Sequence, residues 1–275
     1  MRRPAPRESG PGRSTRGKRV LRLFVRRDGT AAAGDSPTFP PVPASMRFLD
    51  DYLDATRRPQ RSAAPPGAIA RPDRRSLEAH LARRRYGRFT LTEAVRPSWQ
   101  LDVVPQAGYR LDAYTDPRTG ARLPALIASV SSEQLFDAFL GLLEPLGDTC
   151  DVVLETSHDA EAAAAAAPRR EAAREGIERL VLESVLWEFE DLLLNDGCSG
   201  IAVLHPELQL EVQLDEHKLL VVYAHDRRPF ERILAGHGIE RHDRMRFISQ
   251  GEHLHTSHSR FARMFDSMAG LLGAA

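Results

Sequence analysis

Residues 1–100 carry 22 lysines and arginines against 9 acids, whereas residues 101–275 carry 16 against 29. The two parts therefore hold net charges of +13 and −13, which cancel over the whole chain. Twelve of the 19 prolines also precede residue 101. Proline removes a backbone donor, and a stretch poor in apolar side chains cannot offset the entropy of ordering. Two segments of opposite sign are not drawn from one composition. The distribution predicts a boundary near residue 101, with a basic, mostly disordered arm over residues 1–100 and an acidic domain over residues 101–275.

Within the arm, two short helices are expected. In residues 46–56, Phe48, Leu49, Tyr52 and Leu53 fall on one face behind Ser45, a plausible cap. A second helix is expected over residues 76–86, ending in Arg83, Arg84 and Arg85. About three turns of helix are marginal in isolation, so such segments call for something to dock on. Their basic surroundings suit the acidic domain of the same chain, a protein partner, or nucleic-acid phosphates contacted through counterion release.

Beyond residue 101 the hydrophobic pattern becomes regular. Residues 109–114 alternate apolar and polar, Thr115 to Gly120 has turn chemistry, and residues 123–130 are almost continuously apolar, which together predict a hairpin. Leu135, Phe136, Phe139, Leu142 and Leu143 repeat at helical spacing, and Val152, Val153 and Leu154 follow as a strand. An Ala-rich insertion occupies residues 159–174. The segment 177–194 is apolar on more than one face, so a deeply buried helix is expected there, closed by Asn195, Asp196 and Gly197 as a C-cap. Strands at 200–204, 208–214 and 219–223, a helix opened by Pro229, a strand at 245–249 and a terminal helix over 259–272 complete the pattern. The fold class this implies is α/β (α+β), with a mixed sheet built from two β-β-α-β units around a central buried helix.

Candidate chemistry is sparse. His253, His255 and His258 lie within six residues, and three imidazoles suit zinc or another divalent metal, although their spacing matches no zincin signature. Asp215, Glu216, His217 and Lys218 place acid, base and cation together, but a polar hairpin turn needs the same residues. His158 beside Ser157 ends a strand, and Glu183 and Glu190 share a helical face. His158, Asp215 and His217 are accordingly the catalytic candidates, and His253, His255 and His258 the metal candidates. No Gly-rich phosphate loop is present, which argues against the two common nucleotide-binding modes, and no cofactor beyond such a metal is expected. Cys150 and Cys198 form no framework and suit a reducing cytoplasm. No apolar run approaches the roughly 18 residues of a membrane span, and the apolar stretch near Val20 is shorter than a signal-peptide core.

Two segments, Ser184-Val185-Leu186-Trp187-Glu188-Phe189-Glu190-Asp191-Leu192-Leu193-Leu194-Asn195-Asp196-Gly197-Cys198 and Glu211-Val212-Gln213-Leu214-Asp215-Glu216-His217-Lys218-Leu219-Leu220, resemble an uncharacterised family of hypothetical proteins from planctomycete bacteria. The resemblance covers roughly residues 100–275. It implies a boundary near residue 100 and adds no catalytic residue, cofactor or partner. On sequence alone the favoured reading is a non-enzymatic binding or regulatory module, whose basic arm docks on its own acidic domain or on a partner. The alternatives are a metal-dependent or His/carboxylate hydrolase, and a nucleic-acid-associated protein.

Overall fold

A computed structural model describes residues 42–43, 73–115, 122–158 and 170–274, all within the unit spanning residues 32–275. Twelve strands and six α-helices are present among these residues: β1 (Val42–Pro43), α1 (Arg74–Ala82), β2 (Arg85–Tyr86), β3 (Phe89–Thr90), β4 (Val95–Pro97), β5 (Gly108–Thr115), β6 (Arg122–Ser129), α2 (Ser132–Leu143), β7 (Thr149–Thr156), β8 (Arg170–Glu178), α3 (Arg179–Glu188), α4 (Glu190–Asn195), β9 (Ser199–Leu204), β10 (Glu211–Leu214), β11 (Leu219–Tyr223), α5 (Arg228–Gly236), β12 (His253–Ser257) and α6 (Ser259–Leu272). The mixed α and β composition expected from the sequence is the one observed. None of these helices is long and apolar enough to cross a membrane.

Seven strands form one antiparallel sheet in the order β5-β6-β11-β10-β9-β7-β8. The hairpin β5–β6 and the helix α2 follow the expected β-β-α-β order, but β7 does not pair beside them. Strands β9, β10 and β11 insert between β6 and β7. Alternate residues of the central strands, including Leu126, Val152, Val203, Val212 and Leu220, share one buried cluster with Phe139, Phe230, Phe261 and Phe265 from the helices. That alternation is the period-two consequence of strand geometry.

Several expectations need correction. The fold does not begin at residue 101. Leu77, Tyr86, Phe89, Leu91 and Val95 are buried, and β4 pairs antiparallel with β12. The Glu93 N–H donates to Asn195 Oδ1 at 2.9 Å, and the Thr256 N–H donates to the Ala94 carbonyl at 2.8 Å. A charge count over a hundred residues averages away this short apolar alternation. The helix expected over 76–86 starts earlier, because Asp73 accepts the Ser76 N–H at 2.7 Å as the N-cap. It also stops earlier, and Arg85 and Tyr86 pass into a strand. The helix expected over 46–56 lies outside the described residues.

The segment expected as one deeply buried helix is two, separated at Phe189. Leu182, Leu186, Leu192 and Leu193 face the core, while Leu180, Val181 and Trp187 are exposed. Part of the expected Ala-rich insertion, from Arg170, belongs to the sheet as edge strand β8. The strand expected at 245–249 is instead an irregular segment running into a single 3-10 turn over Ile248–Gln250. Gln250 Oε1 accepts the Phe247 N–H at 2.9 Å, and the Arg246 guanidinium donates to the carbonyls of Asp102 and Gln250, which bends the chain. The final strand, β12, comes later and enters a separate three-stranded sheet, β1-β12-β4. The second β-β-α-β unit therefore remains incomplete.

Candidate metal centre

Where the three-stranded sheet meets the seven-stranded one, three segments knit together: residues 93–97, 195–199 and 253–257. Gly197 is the tightest point. Its N–H donates to the Thr256 carbonyl at 2.9 Å, and a Cβ there would collide with the Ala94 carbonyl and lie 2.8 Å from Thr256 O. The Asn195-Asp196-Gly197 signal does close α4, with the N–H of Asp196, its C-cap, donating to the Leu192 carbonyl at 3.1 Å, but the glycine has a further cause. Asp196 is extended, with φ −97° and ψ 110°, and the glycine is required by space.

Strand β12 alternates its side chains, so His253 and His255 point to the same side. The hairpin between β10 and β11 delivers His217 to that side from the other sheet. This hairpin is fixed by Asp215, whose Oδ1 accepts the N–H groups of His217 and Leu219 at 3.0 and 2.8 Å. The three rings meet edge to face, with centroids 4.9, 4.7 and 5.0 Å apart. One ligand atom from each lies within 4.8 Å of the others.

Each ring is oriented by its Nδ1. His253 Nδ1 bonds the Gly251 carbonyl at 2.8 Å, and His255 Nδ1 bonds the Gly197 carbonyl at 2.8 Å. His217 Nδ1 lies 3.2 Å from Asp215 Oδ2 and 3.9 Å from Glu216 Oε1. Carbonyls and carboxylates only accept, so the bonded Nδ1 atoms of His253 and His255 are donors, and the Asp215 carboxylate assigns the same tautomer to His217. The Nε2 atoms of His253 and His255 are then lone pairs. His253 Nε2 and His255 Nε2 face each other at 3.2 Å. Burial, aided by the neighbouring imidazoles, pushes His255 down to about 3, and burial also lowers His253. Both shifts favour the neutral rings, whose single protons sit on Nδ1 and leave the facing Nε2 atoms as lone pairs.

A tetrahedral site with metal–nitrogen bonds of 2.0–2.1 Å places its nitrogens about 3.3 Å apart, close to the 3.2 Å between His253 Nε2 and His255 Nε2. Backbone carbonyls and a carboxylate behind the ligands are the outer contacts that metal-bound histidines usually make. All three histidines are partly exposed, which leaves an approach from solvent. A cleft lined by Phe89, Leu91, Val95, Val130 and Phe247 reaches His217.

The other candidates lie elsewhere. His258 is half-exposed, its Nε2 4.0 Å from Glu93 Oε2, and it takes no part in the cluster. Glu183 pairs with Arg179 on its own helix rather than with Glu190. His158 Nε2 meets Asp196 Oδ2 at 2.8 Å, with Cys198 close by. In this second cluster Ser199 Oγ donates to Asp196 Oδ2 at 2.6 Å, and the Cys198 N–H donates to Asp196 Oδ1 at 3.2 Å. Burial pushes the Asp196 carboxyl up, but hydrogen bonds from His158, Ser199 and Ser257 outweigh it and hold the group below its ordinary value. Burial pushes the Cys198 thiol up. The serine donates to the carboxylate and not to the imidazole, so the arrangement does not activate a serine nucleophile. It is a satisfied buried network supporting the loop that carries Gly197.

Sequence reasoning named His217 as a catalytic candidate and His253 and His255 as metal candidates, joined them only in the hydrolase alternative with His158 and Asp215, and did not read Asp196, Gly197 or Lys218 as supports. No family model, curated protein or solved structure matches this chain.

Proposed function

We propose that the chain is a metal-dependent enzyme of hydrolytic type, built on a divalent metal held by His217, His253 and His255. The observation that carries this reading is the convergence of three imidazoles, with one ligand nitrogen from each within 4.8 Å of the others, the Nε2 lone pairs of His253 and His255 facing each other, and each Nδ1 occupied behind. A cation is the group that relieves that arrangement. Three neutral nitrogen ligands favour zinc among the common divalent ions, and three protein ligands leave a fourth position for water. Zinc in such a setting lowers the pKa of its water to about 7, providing hydroxide at neutral pH. Asp215 and Glu216, beside His217, add negative charge that steadies the metal. This reading is preferred to the interaction-module and nucleic-acid readings because it alone accounts for the convergence of three imidazoles and the facing lone pairs of His253 and His255.

Cobalt(II) in place of zinc reports the open position without knowledge of the substrate. The substituted protein should show the intense visible absorption of four-coordinate cobalt, changing with pH around 7 as the bound water ionises. A cobalt spectrum that stays constant from pH 6 to 9 would mean a closed, purely structural site, contrary to the proposal.

A further inference from the structure

Lys218 follows His217 and occupies an unusual conformation. Its φ is +61°, in the left-handed region that glycine or asparagine adopts most readily at such a turn. The Lys218 N–H closes the turn on the Asp215 carbonyl at 3.0 Å, and the Asp215 N–H bonds the Leu219 carbonyl at 3.1 Å. The lysine is also buried, 5% exposed, which is rare for this residue type. Its Nζ donates to the Ser199 carbonyl at 3.0 Å, and the carboxylates of Asp196, Asp215 and Glu216 act on its charge.

Ser199 opens β9 two residues after Gly197, whose carbonyl orients His255. The lysine therefore connects the two pieces of backbone that present metal ligands: the turn bearing His217 and the segment that aims His255. A glycine would satisfy the turn with less strain, but it would provide no link between them.

We infer that Lys218 is a positioning residue for the three-histidine centre, its buried side chain tying the His217 turn to the 196–199 segment so that the imidazoles converge. The inference rests on the metal-centre reading above. If the lysine serves only the turn, Lys218→Gly should leave metal affinity unchanged, because glycine suits the backbone better. If it positions the ligands, Lys218→Gly loses zinc affinity by about tenfold to a hundredfold, the range typical for supports behind metal ligands.

The test is competition of the full-length protein against a chromophoric zinc chelator, for wild type, Lys218→Gly and Lys218→Asn. Asparagine tolerates the left-handed backbone and lacks the ammonium, so it serves if the glycine variant folds poorly. The expected result is a weakened zinc Kd in both variants, together with a shifted cobalt(II) absorption band that a change confined to the turn would not produce. Wild-type affinity and spectrum in both variants would overturn the inference while leaving the metal centre standing. Failure of the wild-type protein to bind zinc would remove the centre itself, and the positioning role with it.

Discussion

Zinc added at a thousand times its dissociation constant should stabilise the protein by about 4 kcal/mol and raise its thermal midpoint by roughly 10 °C over the chelator-treated protein. The size of the shift follows from where the ligands reside. His217 sits in the hairpin of the seven-stranded sheet, and His253 and His255 sit on β12 of the three-stranded sheet. An unfolded chain does not hold these residues in register, so the ion binds the folded state and its binding energy becomes folding energy. Removal of the metal leaves two lone pairs facing at 3.2 Å, which weakens the same junction. Differential scanning calorimetry with zinc and with chelator measures the effect. His255→Ala should abolish the zinc-dependent shift, and His258→Ala should keep it.

A second large effect is expected at Glu211, far from the chemistry. Its side chain is 5% exposed on β10, and burial pushes its carboxyl up to about 7, with Glu155 adding to the rise and a hydrogen bond from Gln213 opposing it. A carboxyl whose folded pKa lies above its unfolded value binds its proton more tightly when folded. Between pH 4.5 and about 7 the folded state therefore carries the extra proton, and stability falls as pH rises through that window. The loss is complete above about pH 7. A difference of this size corresponds to about 3 kcal/mol at most. Glu211→Gln keeps the shape and removes the charge, so the variant should be more stable than wild type at pH 8 by about 2–3 kcal/mol. The two should converge near pH 4.5. Urea unfolding across this pH range gives the comparison, and parallel stability curves for the two proteins would contradict it.

The regular part of the fold was legible because its strands and helices alternate at their own periods. The hairpin β5–β6, the helix α2 and the terminal helix α6 are read from spacing alone. What spacing does not contain is strand order, and it was strand order that placed β9 to β11 between β6 and β7. The start of the fold was hidden for a different reason. Residues 73–97 are rich in arginine, so net charge assigned them to the arm, whereas a few buried residues such as Leu77 and Val95 decide where they lie. Buried Arg96 illustrates the point, since its guanidinium is spent on the carbonyls of Leu81, Thr92 and Val95.

The site shows the same division between local and long-range information. His253 and His255 were visible as a pair because alternate residues of a strand share a side. His258 looked equivalent in sequence, but it falls past the end of β12, where the chain turns into α6. His217 had the composition of a solvated turn, and only the meeting of two sheets brings its imidazole against those of His253 and His255. The Asn-Asp-Gly run correctly marked the end of α4 at Asn195. The further constraint on Gly197, the nearby backbone of Ala94 and Thr256, arises between segments remote in sequence.

The central claim is that His217, His253 and His255 form one metal site. Equilibrium dialysis of the full-length protein against zinc, followed by elemental analysis, tests it most directly. The account predicts one zinc per chain in the wild type, in His258→Ala and in His158→Ala, and none in the protein carrying His217→Ala, His253→Ala and His255→Ala together. Zinc retained after all three imidazoles are removed, or a wild-type protein that takes up none, would contradict it.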